Sequence, residues 1–223
     1  METSRERYIP ALGYRFLTPI YDPIVSLTCR EKTFKSQLLS QADIQHGYFV
    51  LDVGCGTGTF AVQMKKTIPE ANIFCIDGDL QVLSIAREKA GKNDADVRFY
   101  CCFSTQLPFP ENSFDRVVSS LFFHHLSKTQ KIATIKEIHR ILKPGGQLHV
   151  ADWGKPTNIL MHSLFYFIQI LDGFNTTSDN VRGLLPEIFR QCGFDSVEVG
   201  KKFPTFFGTM TLYSAVKPNL ARV

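Results

Sequence analysis

A glycine-rich turn that follows a short apolar stretch constrains the fold of this chain more than any other feature. Residues 49–53 are apolar apart from Asp52, and Gly54, Gly56 and Gly58 follow at alternate positions. Glycine lets the backbone adopt positive φ angles and approach a ligand closely. The turn precedes a predicted helix, whose first N–H groups and positive dipole end favour an anionic group. The pattern therefore predicts a strand, a ligand-binding turn and a helix, in that order.

Strand and helix patterns alternate through the middle of the chain. The helical segments carry apolar residues at a spacing of three to four, and the strand segments are short and mostly apolar. This alternation indicates a parallel sheet that is covered by helices on both faces. The predicted strands are 49–53, 72–77, 97–102, 114–120 and 147–151, and the predicted helices are 60–68, 80–90 with Gly91 as C-cap, and 127–142, which the turn 143–146 ends.

The two ends of the chain differ from this alternating region. Residues 1–45 form a predicted N-terminal helical cap, with a helix over 24–39, and residues 46–223 form a single globular unit. Beyond the fifth strand, the chain has an apolar helix at 159–171 and an amphipathic helix at 179–192. Strands at 195–200 and 208–216 are expected to form an antiparallel hairpin that closes the sheet.

Composition excludes several classes of protein. The chain has 223 residues, 44% hydrophobic and 21% charged, with a formal charge of +4, and its basic residues do not form a run interleaved with aromatic residues. We therefore expect no nucleic-acid partner. The apolar stretch 159–171 is shorter than the roughly 20 residues of a membrane span, and the N-terminus is polar, so we expect a cytoplasmic protein without a transmembrane segment. The six cysteines lack metal-binding spacing, so no metal is expected.

Two aspartates lie at the ends of neighbouring predicted strands. Asp52 precedes the glycines, and Asp77 ends the next strand, where a carboxylate can accept hydrogen bonds from ribose hydroxyls. A dinucleotide fingerprint requires its third glycine at position 59, but this chain has Thr59 there and Gly58 before it. The spacing favours S-adenosylmethionine, whose ammonium would lie near Asp52, over a nicotinamide or flavin cofactor.

Three segments resemble the motifs of class I S-adenosylmethionine-dependent methyltransferases. Residues 51–58 look like the glycine-rich motif, residues 107–115 resemble the segment that enters the fourth strand, and residues 137–146 resemble the helix and turn before the fifth. The chain is most similar in style to the small-molecule group of ubiquinone and menaquinone biosynthesis, known as methyltransferase type 11. The resemblance implies a Rossmann-like, seven-stranded, mostly parallel sheet with helices on both faces and a C-terminal antiparallel hairpin.

The resemblance also implies a set of cofactor-binding residues. The glycine-rich loop would border the methionine portion, Asp77 would bind the ribose, and the residues after the second and third strands would lie beside the adenine. The family often has an acidic residue where this chain has Phe103, so the ring would pack beside the base, with Thr105 or Gln106 as a possible acceptor. The implied residues are Asp52, Gly54, Cys55, Gly56, Gly58, Asp77, Gly78, Asp79, Phe103, Ser104, Ser119 and Leu121.

Catalysis by direct methyl displacement needs alignment of the acceptor and, for a weak nucleophile, a general base. His124, His125 and Asp152 follow or end predicted strands and are candidate bases, although structural roles remain open for all three. Tyr21, Phe165 and Tyr166 are candidate contacts of a hydrophobic or aromatic acceptor, with plain packing as the alternative. The expected function is methylation of a small molecule. A macromolecular acceptor and a non-catalytic S-adenosylmethionine-binding protein remain alternatives, and the oligomeric state is open.

Overall fold

The computed structural model describes residues 30–156, 174–206 and 208–219. A seven-stranded sheet with the order β3-β2-β1-β4-β5-β7-β6 runs through it. The strands are β1 (Phe49–Val53), β2 (Asn72–Asp77), β3 (Val97–Cys101), β4 (Phe114–Ser120), β5 (Leu142–Trp153), β6 (Asp195–Thr205) and β7 (Gly208–Val216). The helices are α1 (Glu31–Ala42), α2 (Thr59–Thr67), α3 (Leu80–Lys92), α4 (Lys128–Ile141), α5 (Phe174–Arg182) and α6 (Leu185–Gln191), with a 3-10 turn at Phe123–His125.

The first five strands are parallel, and the strand order reverses at β1. This strand pairs with β2 on one side and with β4 on the other, with Val50 opposite both Ile73 and Arg116. The loops that leave β1 and β4 therefore diverge and open a crevice at the carboxyl ends of the strands. Such a switch point is where open α/β sheets bind their ligands, so the fold places the site beside Asp52.

Two apolar layers cover the two faces of the sheet. In β1, Val50 faces one layer while Leu51 and Val53 face the other, because successive strand residues point to opposite sides. The first layer takes buried residues from α1, α2 and α3, and the second takes them from α4 and α6. The sheet is thus covered on both faces, as the alternating pattern predicts.

The predicted seven-stranded Rossmann-like sheet and its C-terminal hairpin are confirmed. The bounds of β1, β2 and β4 coincide with the predicted ones. The β7 strand runs antiparallel to β5 and to β6, and β6 extends to Thr205, further than predicted. In the described residues, no helix has the length and apolar character that a membrane span requires.

Three local predictions are wrong. Gly91 lies inside α3, which ends at Lys92, with the Asn93 N–H bonded to the Ala90 carbonyl. The predicted helix 179–192 is two helices, because Gly183 takes a φ of 73° after α5. The predicted turn 143–146 belongs to β5, since Gly145 N–H donates to Lys217 O and Lys217 N–H donates to Gly146 O, both at 2.9 Å.

Part of the expected acceptor region falls outside the described residues. The apolar helix 159–171 and the contacts expected from Tyr21, Phe165 and Tyr166 lie there. Of the N-terminal cap, the described part begins at Arg30, and the predicted helix 24–39 overlaps α1 only over its second half. The division between a cap and the main unit near residue 46 remains a prediction.

Candidate functional site

The loop between β1 and α2 depends on its glycines for two different reasons. Gly54 has a φ of 71°, and a Cβ there would lie 2.2 Å from the Phe122 ring, so the loop packs directly on the segment after β4. Gly56 has a φ of 53°, but a Cβ there would meet no atom within 4 Å. Gly58 precedes α2, and a Cβ there would lie 3.0 Å from the Cβ of Ala86. Gly56 therefore faces open space, while its two neighbours face protein.

Hydrogen bonds hold this loop from β2 and from α3. The N–H groups of Gly54 and Cys55 both donate to Ile76 O at 3.0 Å. On the other side, Lys89 Nζ donates to the hydroxyls of Thr57 and Thr59 at 2.9 and 2.6 Å. The loop is fixed at both sides of Gly56, which preorganises its open face for a ligand.

Asp52 is a buried carboxylate near the end of β1. Its side chain is almost wholly inaccessible, and neither oxygen has a hydrogen-bond partner among the described residues. Burial raises the pKa of Asp52 to about 7, against a partial lowering by the Lys35 ammonium and a further rise from Asp77. A buried carboxylate without partners is costly, and such groups mark functional sites. The site can therefore hold a cation, such as a ligand ammonium, that pairs with Asp52.

Asp77 ends β2 and directs both carboxylate oxygens at loop backbone. Its Oδ2 accepts from Gly56 N–H and its Oδ1 from Asp79 N–H, each at 3.0 Å. Burial raises the pKa of Asp77, and these N–H groups oppose the rise. A carboxylate oxygen accepts more than one hydrogen bond, so Asp77 retains capacity for a diol on the ligand side.

The residues after β2 and β3 form the rim of the site. Asp79 caps α3 by accepting from Gln81 N–H at 2.8 Å, so its side chain serves the helix. Leu80 is 64% exposed, and Phe103 is 48% exposed after β3. Cys101 Sγ lies 3.9 Å from Gly78 O, which shows that the ends of β2 and β3 are adjacent. Two exposed apolar side chains thus flank the Asp77 loop, where a flat apolar ring can pack.

Three further predicted residues serve the framework through their side chains or backbone. The hydroxyl of Ser104 is buried and lies 2.7 Å from the Thr134 hydroxyl of α4. Ser119 Oγ donates to Val53 O at 2.8 Å. Leu121 takes a φ of 56°, uncommon for a residue other than glycine, and its N–H donates to Ala151 O at 2.8 Å. These contacts fix the loops after β3 and β4, and any part in ligand binding would fall to their remaining backbone groups.

A histidine and an aspartate pair at the adjoining ends of β4 and β5. His124 Nδ1 lies 2.8 Å from Asp152 Oδ1, and both side chains are buried. Asp152 Oδ2 also accepts from the N–H groups of Phe122 and His124, at 3.2 and 3.3 Å. The carboxylate therefore organises the 3-10 turn, which continues into α4 through a capping box of Ser127 and Gln130.

Aromatic rings surround this pair. The ring centroid of His125 lies 4.0 Å from that of His124, and Trp153 meets His124 edge to face at 6.4 Å. Burial lowers the pKa of His125 well below its ordinary value, and the neighbouring His124 lowers it further. An apolar, partly aromatic setting for a histidine–carboxylate pair is suited to removing a proton from an organic acceptor.

The structure brings most of the predicted site residues to one edge of the sheet. Asp52, Asp77, the glycine loop, Phe103 and the His124–Asp152 pair all lie at the carboxyl ends of β1 to β5. The sequence did not indicate Lys35, Phe122 or Asn180, whose Nδ2 donates to Asp152 Oδ1 at 3.3 Å. Of these, only Phe122 carried a signal, since it follows the fourth predicted strand, and the other two sit in ordinary helical patterns.

We predict that alanine at Gly56 separates ligand binding from stability. Both Gly56→Ala and its matched control Gly47→Ala place a Cβ at positive φ with no atom within 4 Å, so each should lose about 1–2 kcal/mol of unfolding free energy. Only Gly56→Ala obstructs the ligand side, so its affinity for S-adenosylhomocysteine should fall about tenfold or more. Urea unfolding and calorimetric titration measure the two effects, and equal affinities in the two variants would place the ligand elsewhere.

A second prediction concerns the exposed ring of Phe103. Removing it in Phe103→Ala should lower the affinity for S-adenosylhomocysteine by about tenfold, since the ring covers apolar ligand surface. Stability should change by less than about 0.5 kcal/mol, as expected for an exposed side chain. Phe206→Ala is the matched control, because this 71% exposed phenylalanine follows β6, which is at the other end of the strand order from β3. An unchanged affinity in Phe103→Ala would remove the ring from the site.

The site fits an S-adenosyl group on its own geometry. The orphaned Asp52 carboxylate suits an ammonium, the open face of Gly56 admits ligand backbone atoms, and Asp77 with its apolar rim suits a nucleoside. A dinucleotide would bring a pyrophosphate to the glycine loop, where the buried Asp52 would oppose its charge. The arrangement therefore favours an amino-acid nucleoside over a nicotinamide dinucleotide.

Comparisons with known proteins agree with this assignment. A family model described as a methyltransferase domain matches residues 50–146. A demethylmenaquinone methyltransferase of Geobacillus kaustophilus is 27% identical over 97% of this chain and 100% of the relative. The YcgJ structure from Bacillus subtilis superposes with a TM-score of 0.68 at 16% identity, covering 83% of this chain and 98% of that one.

A second solved structure shares the fold and is known with ligands. A phosphoethanolamine N-methyltransferase of Haemonchus contortus, solved with phosphomonomethylethanolamine and S-adenosylhomocysteine, superposes with a TM-score of 0.68 at 20% identity, over 84% of this chain and 53% of that one. At this identity the likeness concerns the fold. Together, the family match and the full-length relative support an S-adenosylmethionine-dependent methyltransferase.

Proposed function

We propose that this methyltransferase acts on a small aromatic acceptor of the hydroquinone type and that His124 is its general base. The observation that carries the proposal is the buried His124–Asp152 hydrogen bond of 2.8 Å, set among aromatic rings beside the crevice. A relative that matches over its whole length is named for demethylmenaquinone, which supports an aromatic ring acceptor.

The cofactor contacts in this proposal follow from the site. Asp52 holds the ammonium of the methionine portion, Asp77 accepts from the ribose hydroxyls, and Phe103 with Leu80 packs against the adenine. When bound, S-adenosylmethionine supplies a methyl group on a positively charged sulfur. Hydrogen bonds to Lys89 and to Ile76 O fix the glycine loop, which borders the methionine portion.

The residues after β4 and β5 would perform the proton chemistry. His124 Nδ1–H donates to Asp152 Oδ1, and in this tautomer of the neutral ring the basic lone pair is on Nε2. That nitrogen would take the proton of an acceptor hydroxyl, and electron density would move to the adjacent ring carbon. This carbon would bond to the methyl carbon as the methyl–sulfur bond breaks, with the electron pair left on the sulfur of the departing S-adenosylhomocysteine. The ring carbon would then lose its hydrogen as a proton to water, His124 would return its proton to the ring oxygen, and aromaticity would return. Asp152 stabilises the imidazolium that forms.

A methyl-transfer assay tests the proposal. The purified chain is mixed with S-adenosylmethionine and with reduced 1,4-naphthoquinone, either bare or carrying an apolar side chain, and release of S-adenosylhomocysteine is measured. We expect release that depends on the hydroquinone, with a methylated ring product by mass spectrometry. Total RNA and total protein serve as competing acceptors.

Three other outcomes would contradict the proposal in different ways. Methyl groups that appear only in RNA or protein would indicate a macromolecular acceptor. S-adenosylhomocysteine binding without turnover of any acceptor would indicate a cofactor-binding protein without this activity. If His124→Gln forms the methylated product as fast as the parent, the acceptor is as proposed but His124 is not the general base.

A further inference from the structure

A buried asparagine on α5 contacts the carboxylate that holds His124. Asn180 is fully buried, and its Nδ2 donates to Asp152 Oδ1 at 3.3 Å and to Trp153 O at 3.0 Å. Both contacts use the amide N–H groups, because turning the amide over would place its oxygen against two acceptors. The orientation of Asn180 is therefore determined, and it joins α5 to the end of β5.

Asp152 Oδ1 is the point at which three donors meet. It accepts from Trp153 N–H at 2.7 Å and lies 2.8 Å from His124 Nδ1, in addition to the contact with Asn180. Hydrogen bonds are directional, so the place of this oxygen determines the plane and tautomer of the histidine ring. The backbone N–H groups that hold the carboxylate come from β5 and from the segment after β4. Asn180 holds it from a separate helix, α5.

A buried lysine holds α5 in place. Lys131 of α4 is fully buried, and its Nζ donates to Thr176 O at 2.6 Å and lies 3.5 Å from Asp179 Oδ2. Burial lowers the pKa of Lys131, while Asp179 and Asp152 raise it. Since an unpaired buried charge is costly, this pair ties the helix that carries Asn180 to the core helix α4. Asn180 thus reaches Asp152 from a helix that is tied to α4.

We propose that Asn180 is a positioning residue that fixes Asp152 and thereby keeps His124 in the tautomer with Nδ1 protonated. This inference rests on the proposed function, in which His124 Nε2 acts as the base. Without the amide, one donor to Oδ1 is lost and the carboxylate is held by backbone N–H groups alone, which restrict its rotation about χ2 less. The ring then gains access to the other tautomer, in which Nε2 carries the proton and cannot accept one from the acceptor.

Nitrogen NMR of histidine-labelled protein tests the inference without an acceptor. Long-range proton–nitrogen correlations distinguish the two imidazole tautomers, and loss of one set of signals in His124→Gln assigns the ring. We expect the parent to show the Nδ1-protonated form and Asn180→Leu to show a substantial share of the Nε2-protonated form. Ile188→Ala, a core truncation in α6, is the matched control that loses stability and keeps the parent tautomer.

The kinetic counterpart uses the hydroquinone assay. We expect Asn180→Leu to lower kcat about tenfold or more with little change in KM, as for other groups that orient a reactive side chain. If Asn180→Leu does not fold, Asn180→Ala replaces it in both measurements. A folded variant with the parent tautomer would overturn the inference, even if His124→Gln abolished transfer. An altered tautomer without turnover of any acceptor by the parent would support the positioning role and contradict the proposed function.

Discussion

We expect His124→Gln to transfer methyl groups to the hydroquinone about 10²–10⁴-fold more slowly than the parent, the contribution typical of a general base. Its affinity for S-adenosylhomocysteine should change by no more than about threefold, because the side chain of His124 pairs with Asp152 and not with Asp52 or Asp77. Steady-state kinetics and calorimetric titration together separate the two effects.

The adjacent histidine provides the matched control. His125 lies in the same 3-10 turn with its ring beside that of His124, whereas Asp152 Oδ1 bonds His124. We expect His125→Gln to retain most of the activity and Asp152→Asn to lose it, because an amide nitrogen at Asp152 would face the donors that now converge there. Equal losses in both histidine variants would indicate that the turn is needed only for structure.

The Asp52→Asn variant should lose cofactor affinity and yet gain stability at alkaline pH. The ammonium of S-adenosylhomocysteine would lose its charge partner, which costs at least about 2 kcal/mol, or about thirtyfold in affinity. The pKa of Asp52 is raised by burial from 3.8 to about 7 in the folded chain. The folded state therefore holds this proton more tightly than the unfolded state does, and the stability due to Asp52 falls as the pH rises from about 4 to 7.

Asparagine does not titrate, so this fall should be missing from the variant. At about 1.4 kcal/mol per unit of pKa, the parent should lose up to about 4 kcal/mol relative to Asp52→Asn between pH 4 and pH 8. Urea unfolding of the ligand-free proteins at several pH values measures the difference. Asp195→Asn, at an exposed position of β6, is the control that should follow the parent. Parallel pH profiles for parent and Asp52→Asn would show that Asp52 is ionised in the folded chain without a ligand.

The half of the candidate site that we assign to the cofactor was predictable from sequence because it is local. The strand, the glycines and Asp52 are contiguous, and Asp77 ends the next strand, so parallel pairing alone brings the two carboxylates to one edge. The predicted bounds of β1, β2 and β4 hold for the same reason, since apolar runs flanked by turn residues identify them.

The contacts that support the His124–Asp152 pair were not predictable from sequence, because they are tertiary contacts. Asn180 reaches Asp152 from α5, which Lys131 ties to α4, and nothing in the local sequence of either helix signals these contacts. Gly183 was also missed, since the apolar stripe continues across it while its positive φ separates two helices. The strand assignment at 143–146 depends on pairing with Lys217, far along the chain. Periodicity reports which face of an element is buried and not which side chain it meets.

Calorimetric titration with S-adenosylhomocysteine, on the parent and on Asp77→Ala, tests the cofactor site most directly. We expect binding on the order of micromolar for the parent and loss of measurable binding in Asp77→Ala, because the carboxylate would bind the ribose and also holds the N–H groups of Gly56 and Asp79. Thermal unfolding of Asp77→Ala is the control that tests whether the variant remains folded. Absence of binding to the parent, or undiminished binding to a folded Asp77→Ala, would contradict the site described here.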